Sequence, residues 1–111
     1  MSILRLTSIA VLFCLAMLAV PTRAQAQADA AKTYKTNCVM CHADNGSGET
    51  TSGKALKAKD LRSEEVQKQS DPELSEIIAK GKGKMPAFGA KIKADEMKEL
   101  VAYIRDLAKK K

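Results

Sequence analysis

The chain has no tryptophan, four aromatic residues in all and a single histidine, His42. With so few rings, the large side chains that usually dominate a core are scarce. Scarce aromatics also leave little on which nucleic-acid bases could stack, so a nucleic acid is not an expected partner. One histidine excludes any site that takes two imidazoles from the same chain. Cysteine is sparse as well, with three in 111 residues. Cys14 sits in an apolar run, and Cys38 and Cys41 are too few and too close together for a disulfide framework.

Charge is missing from Leu6 to Val20, an apolar run preceded by Arg5 and followed by Ala24-Gln25-Ala26 and Ala26-Gln27-Ala28. A positive start, an apolar stretch and a small-residue A-x-A site make a secretory signal peptide. The competing reading is an uncleaved anchor, but a spanning helix needs roughly 20 apolar residues and this run falls short. The expected organisation is a signal peptide over 1–28, cleaved after Ala26 or Ala28, and one domain over 29–111 in an extracytoplasmic, periplasmic space. No membrane span remains after cleavage. Phe13 precedes Cys14 where a lipoprotein signal has a small residue, so Cys14 is expected to leave with the signal. The formal net charge of +6 loses two arginines with it and no acid. A mature chain of about 80 residues is near the lower size for a self-sufficient core, so a staple such as a bound cofactor is expected.

Within the mature part the apolar pattern is helical. Ala30, Tyr34, Cys38 and Cys41 share one face, which predicts a helix from Asp29 to about Cys41. The polar stretch Asp44 to Gly53 reads as a loop, and Ser63-Glu64-Glu65-Val66 as the opening of a short helix. Asp71-Pro72-Glu73 starts another helix, with a capping side chain, proline in the first turn and an acid after it. Leu74, Ile77 and Ile78 form its apolar face, and Gly81 and Gly83 end it. Lys84 to Ile92 is a loop. A strong amphipathic helix spans about Lys93 to Ala108, with the stripe Met97, Leu100, Val101, Ile104 and Leu107. Lys93 is a poor cap for it. There is no strand pattern.

Cys38-Val39-Met40-Cys41-His42 is C-x-x-C-H, the attachment sequence for a covalent haem. Two thiols at this spacing reach the two vinyl groups on one edge of a porphyrin, and the next residue places an imidazole under the iron. Three other uses of these residues fit less well. A thioredoxin-like pair belongs at a strand end in a β-α-β setting, and none is visible. A zinc site needs four ligands, usually from two separated pairs. A disulfide across so small a loop would stabilise little. With His42 as the one imidazole, the far axial position falls to Met, Lys, water, a small ligand or nothing. Of the methionines, Met40 lies inside the attachment loop and Met97 belongs to the core stripe. Met85 lies in a loop before Pro86, which holds its backbone extended. Its bland role would be gap-filling. Gly48 to Lys54 imitates a phosphate-binding loop, but Ala55 stands where that motif needs Ser or Thr.

The chain resembles the class I cytochromes c, particularly the small bacterial, cytochrome-c6-like members. The residues that carry the resemblance are Tyr34 before CVMCH, the loop Lys84-Met85-Pro86-Ala87-Phe88-Gly89, and Leu100-Val101-Ala102-Tyr103-Ile104. The resemblance implies an all-α fold of three to five helices wrapped around one covalent haem c, with the first and last helices crossing so that Ala30 and Tyr34 meet Leu100 and Tyr103. Many relatives have glycine where Ala30 stands, so the crossing is expected to be slightly wider. Cys38 and Cys41 would then carry the haem thioethers, His42 the proximal iron bond and Met85 the distal one. The implied function is one-electron transfer between extracytoplasmic redox partners by a monomer that is not an enzyme. A haem subunit of a larger oxidoreductase complex, or a haem enzyme or gas sensor, are the alternatives. Lys80, Lys82, Lys84, Lys91 and Lys93 flank the Met85 loop and are expected to form a basic patch for acidic partners. One departure stands out. Relatives often have a proline after the haem motif whose carbonyl fixes the proximal histidine. Lys57-Ala58-Lys59-Asp60-Leu61 has none, so another carbonyl of this stretch is expected to serve.

Overall fold

The structure is a computed structural model and describes residues 22–110. Arg5, the apolar run and Cys14 lie outside the described residues. Helix α1 runs Arg23–Asn37, starting well before the expected Asp29. Thr22 caps it, its hydroxyl accepting from the Gln25 amide at 3.4 Å. Alternating Ala and Gln propagate helix well, which is why the start lies upstream. Asp29 is therefore inside the helix, and its carboxylate accepts from Gln25 Nε2 at 3.1 Å. The expected continuous helix to Cys41 instead breaks at Cys38, and a single turn, α2, follows at Val39–His42.

The polar stretch contains a helix that periodicity did not reveal, α3, Thr51–Leu56. Thr50 caps it, accepting from the Gly53 amide at 2.8 Å. The same hydroxyl donates to the Met40 carbonyl at 2.6 Å, which ties α3 to α2. Gly53 is required for another reason. A Cβ there would collide with the carbonyl oxygens of Cys41 and Gly48. The imitation of a phosphate-binding loop thus resolves into a small helix pressed against the C-x-x-C-H turn.

Ser63 caps the turn α4, Glu64–Gln67, as expected. The following helix, α5, is Asp71–Lys80, and its cap is Ser70 rather than Asp71. Ser70 Oγ accepts from the Glu73 amide at 3.3 Å while Glu73 accepts from the Ser70 amide at 2.7 Å, a reciprocal capping box. Gly81 ends α5 at φ +76°, and a Cβ there would meet the Met85 carbonyl. The last helix, α6, is Ala94–Lys109. Glu96 compensates for the weak cap by accepting from the Lys93 amide at 2.9 Å. The described residues thus contain six helical segments, more than the three to five expected, because three of them are only a turn or two long. Among the described residues the one β pairing is an isolated bridge between Lys82 and Met85.

Helices α1 and α6 make the most extensive contact between helices. Ala30, Tyr34 and Leu100 are buried where they cross, and the Tyr34 and Tyr103 rings lie 5.1 Å apart at 44°. Val66, Leu74, Ile78, Ile92, Met97, Val101, Ile104 and Leu107 complete the core. Arg105 pins the segment from α4 to α5 onto α6. Its guanidinium donates to the carbonyls of Gln67 and Gln69 at 2.9 and 2.5 Å and to Asp71 at 2.8 Å. No helix among the described residues is long and apolar enough to cross a membrane.

Candidate haem site

An open cavity of about 630 Å³ lies between α1, the Lys57–Leu61 loop, α5 and the Met85 loop, within the range of pockets that enclose a cofactor. Its walls include Leu61, Val66, Leu74, Ile78, Phe88 and Ile104. Cys38, Cys41, His42 and Met85 all line it, so the four residues singled out in the sequence meet at one cavity. Met97 is buried in the core, and Met40 is exposed. Both cysteine thiols are free. Among the described residues no cluster of three or more His, Cys, Asp or Glu side chains is arranged to hold a metal.

The break at Cys38 turns the motif toward the cavity. The Cys38 amide still bonds to the Tyr34 carbonyl at 2.8 Å, and the His42 amide to the Cys38 carbonyl at 2.9 Å. Ala43 then leaves the helix at φ +64°, and its carbonyl accepts from the Tyr34 hydroxyl at 2.7 Å. Burial raises the Tyr34 phenol well above its ordinary range, with the neighbouring Cys38 adding to the effect. Burial likewise pushes the Cys38 thiol up to about 11, with Cys41 contributing. Cys38 is thus a neutral thiol at pH 7.

His42 is buried, and its Nδ1 lies 3.0 Å from the Lys59 carbonyl oxygen. Burial lowers the imidazole pKa, and the Lys59 bond partly offsets this. A carbonyl oxygen can only accept, so the neutral ring carries its proton on Nδ1 and leaves the Nε2 lone pair available. Lys59 is the acceptor whose identity the sequence left open. Gly48, at φ +75°, permits the close approach, since a Cβ there would press on the Ala58 carbonyl.

Met85 is held by its backbone. Its amide donates to the Lys82 carbonyl at 3.0 Å and its carbonyl accepts from the Lys82 amide at 3.1 Å. The amides of Phe88 and Gly89 then bond to the Ile78 and Ala79 carbonyls at 2.9 and 3.1 Å, fastening the loop to the end of α5. Of the five lysines expected around this loop, Lys82 and Lys84 line the cavity, and Lys80 is paired with Glu76 at 2.6 Å. Lys91 and Lys93 are not in the lining, whereas Lys57 and Lys59, which charge reasoning passed over, are.

An apolar cleft lined by two thiols and an imidazole with a free Nε2 has side chains that fit a covalently bound haem. The comparisons agree. A family model described as cytochrome C oxidase, cbb3-type, subunit III, matches residues 25–104. Cytochrome c6 of Aphanizomenon flos-aquae is 36% identical over 81 residues, covering 70% of this chain and 86% of its own. Cytochrome c6 of Leptolyngbya boryana is 34% identical over 86 residues, covering 75% and 98%. Among solved structures, the KustC0563 c-type cytochrome matches with a TM-score of 0.65 and 33% identity, covering 71% of this chain and 96% of that one. The chain belongs to this cytochrome c family. It is a cytochrome-c6-like class I cytochrome of small all-α fold, and its cofactor is covalent haem c with iron.

Proposed function

We infer that the protein is an exported one-electron carrier whose iron is held by His42 and Met85, with the haem bound through Cys38 and Cys41. The observation that supports this most directly is that all four side chains line one apolar cavity while the Lys59 carbonyl occupies His42 Nδ1. When bound, the haem would supply a ferric/ferrous couple. The protein's part is to hold it and keep water from it. His42 offers Nε2 from below, in an orientation set by Lys59. Met85 offers a thioether from a loop braced on both sides, and a thioether opposite an imidazole raises the potential. Held by both His42 and Met85, the iron would have no open site for substrate, so we read the protein as a carrier rather than an enzyme or gas sensor.

The test is the optical spectrum of the exported holoprotein beside that of Met85→Ala. The variant is expected to lose the low-spin spectrum and to bind carbon monoxide when reduced. A low-spin spectrum that survives the substitution would rule out Met85. Absence of covalent haem from the unsubstituted protein would end the whole reading.

Lys57, Lys82 and Lys84 at the cavity favour redox partners with acidic docking surfaces. Export rests on the signal peptide over 1–28, and we take the mature protein to be a periplasmic monomer. A second reading, a haem subunit of a larger complex, draws on the matching family, which is that of an oxidase subunit. Co-purification with a large partner would favour it.

A further inference from the structure

The proximal bond from His42 goes to a carbonyl, and a carbonyl orients a ligand only if its peptide plane is held. Lys57 to Leu61 contains no proline to hold it, and Lys57 is left-handed at φ +57°. The Lys59 carbonyl belongs to the peptide that ends at Asp60, and Asp60 is engaged in three ways. Its Oδ1 accepts from the Arg62 amide at 2.9 Å. Both carboxylate oxygens accept from the Arg62 guanidinium, from Nε at 3.0 Å and from Nη2 at 3.1 Å. Its carbonyl accepts from the Ser63 amide at 3.1 Å. The intervening Leu61 amide bonds to the Gly46 carbonyl at 2.8 Å, which ties this turn to the segment that leaves His42. The pair is sheltered, with side-chain exposures of 21% for Arg62 and 35% for Asp60. A surface pair contributes little, but a planar fork closing a turn fixes geometry as well as adding energy.

We propose that the Asp60–Arg62 clamp is the positioning device for the proximal ligand. It rests on the reading of His42 as the iron's ligand. Through the Lys59 carbonyl it sets the plane of the imidazole and the strength of the Nδ1 bond, and a stronger bond makes the imidazole a more basic ligand that favours ferric iron. Loosening the clamp therefore raises the reduction potential.

Charge makes the test decisive. Removing Asp60 deletes a negative charge and removing Arg62 deletes a positive one. A purely electrostatic role would move the potential up in Asp60→Ala and down in Arg62→Leu. A positioning role moves it up in both. The experiment is spectroelectrochemistry of the haem-loaded protein, with NMR exchange of the His42 Nδ1 proton as a second reading. Both variants are expected to show a raised potential and Nδ1 exchange faster by about tenfold, the factor for a loss near one hydrogen bond. Arg62→Lys, which keeps the charge but not the fork, is expected to shift both readings the same way by less. It carries the test if the other variants fail to take up haem. Shifts of opposite sign, or unchanged potential and exchange, would overturn the proposal. If the unsubstituted holoprotein shows no hyperfine-shifted His42 resonance, the ligand assignment fails instead.

Discussion

Single residues here act mainly through the backbone groups that they admit or hold. Gly53 is the sharpest case. It sits inside a helix, where glycine is unfavourable, because two carbonyl oxygens of the haem-attachment turn and its neighbouring loop occupy the space a Cβ would take. Gly53→Ala should therefore cost about 3 kcal/mol, the upper part of the range for overpacking, despite the better helix propensity of alanine. Chemical denaturation of the holoprotein measures this, and a stabilised variant would contradict the packing argument. His42 teaches a related lesson. Its side chain stood out as a candidate iron ligand from five consecutive letters, yet its hydrogen-bond partner did not, because every residue has a carbonyl and only the folded loop selects that of Lys59.

Among elements, the ends diverge from expectation more than the middles. The stripe Met97, Leu100, Val101, Ile104 and Leu107 is buried as its spacing required. Caps are decided by local bonds, and Ser70 displaced Asp71 because its hydroxyl and Glu73 satisfy two free amides together. Helix α3 escaped detection because its six residues are too few to show a period and carry a glycine for reasons of contact. Arg105 fastens α4 and α5 to α6 through carbonyls more than 30 residues away in sequence. Arg105→Ala should lower stability by about 2 kcal/mol, as expected for hydrogen bonds from a charged donor. A shift in denaturant midpoint at unchanged slope would register it. A midpoint at the wild-type value would mean that the linker is held by packing alone. Cleavage after Ala26 or Ala28 would shorten α1 at an end that is almost wholly exposed. Haem-loaded proteins beginning at residue 22 and at residue 29 should therefore melt within about 4 °C of each other, since exposed changes fall within ±0.5 kcal/mol. Intact mass of the exported protein fixes the cleavage point.

For the whole molecule, charge decides how it meets others. The formal net charge of +6 would fall to +4 with loss of the two arginines in 1–28, and lysines line the cavity. Electron transfer with an acidic redox protein should slow severalfold as ionic strength rises from about 0.01 M to about 0.15 M, because the Debye length falls from ~30 Å to ~8 Å. Stopped-flow rates across that series check it; a flat response would remove the steering role of the lysines. Lys57, Lys59, Lys82 and Lys84 line the cavity, with Lys59 paired to Glu65 and Lys80, outside the lining, paired to Glu76.

By itself the amino-acid sequence determined what depends on residue identity at short range: the two thiols and imidazole of the attachment turn, the lack of a second histidine, the apolar stripes and the all-helical class. These follow from covalent spacing and helical period, which act over a few residues. Tertiary structure alone decided which loops face one another across the cavity. It brought Met85 to the same cleft as His42, chose Lys59 among the available carbonyls, and closed the Asp60–Arg62 turn that holds it. Such choices depend on backbone hydrogen bonds between segments distant in the chain, and a backbone group has no letter of its own.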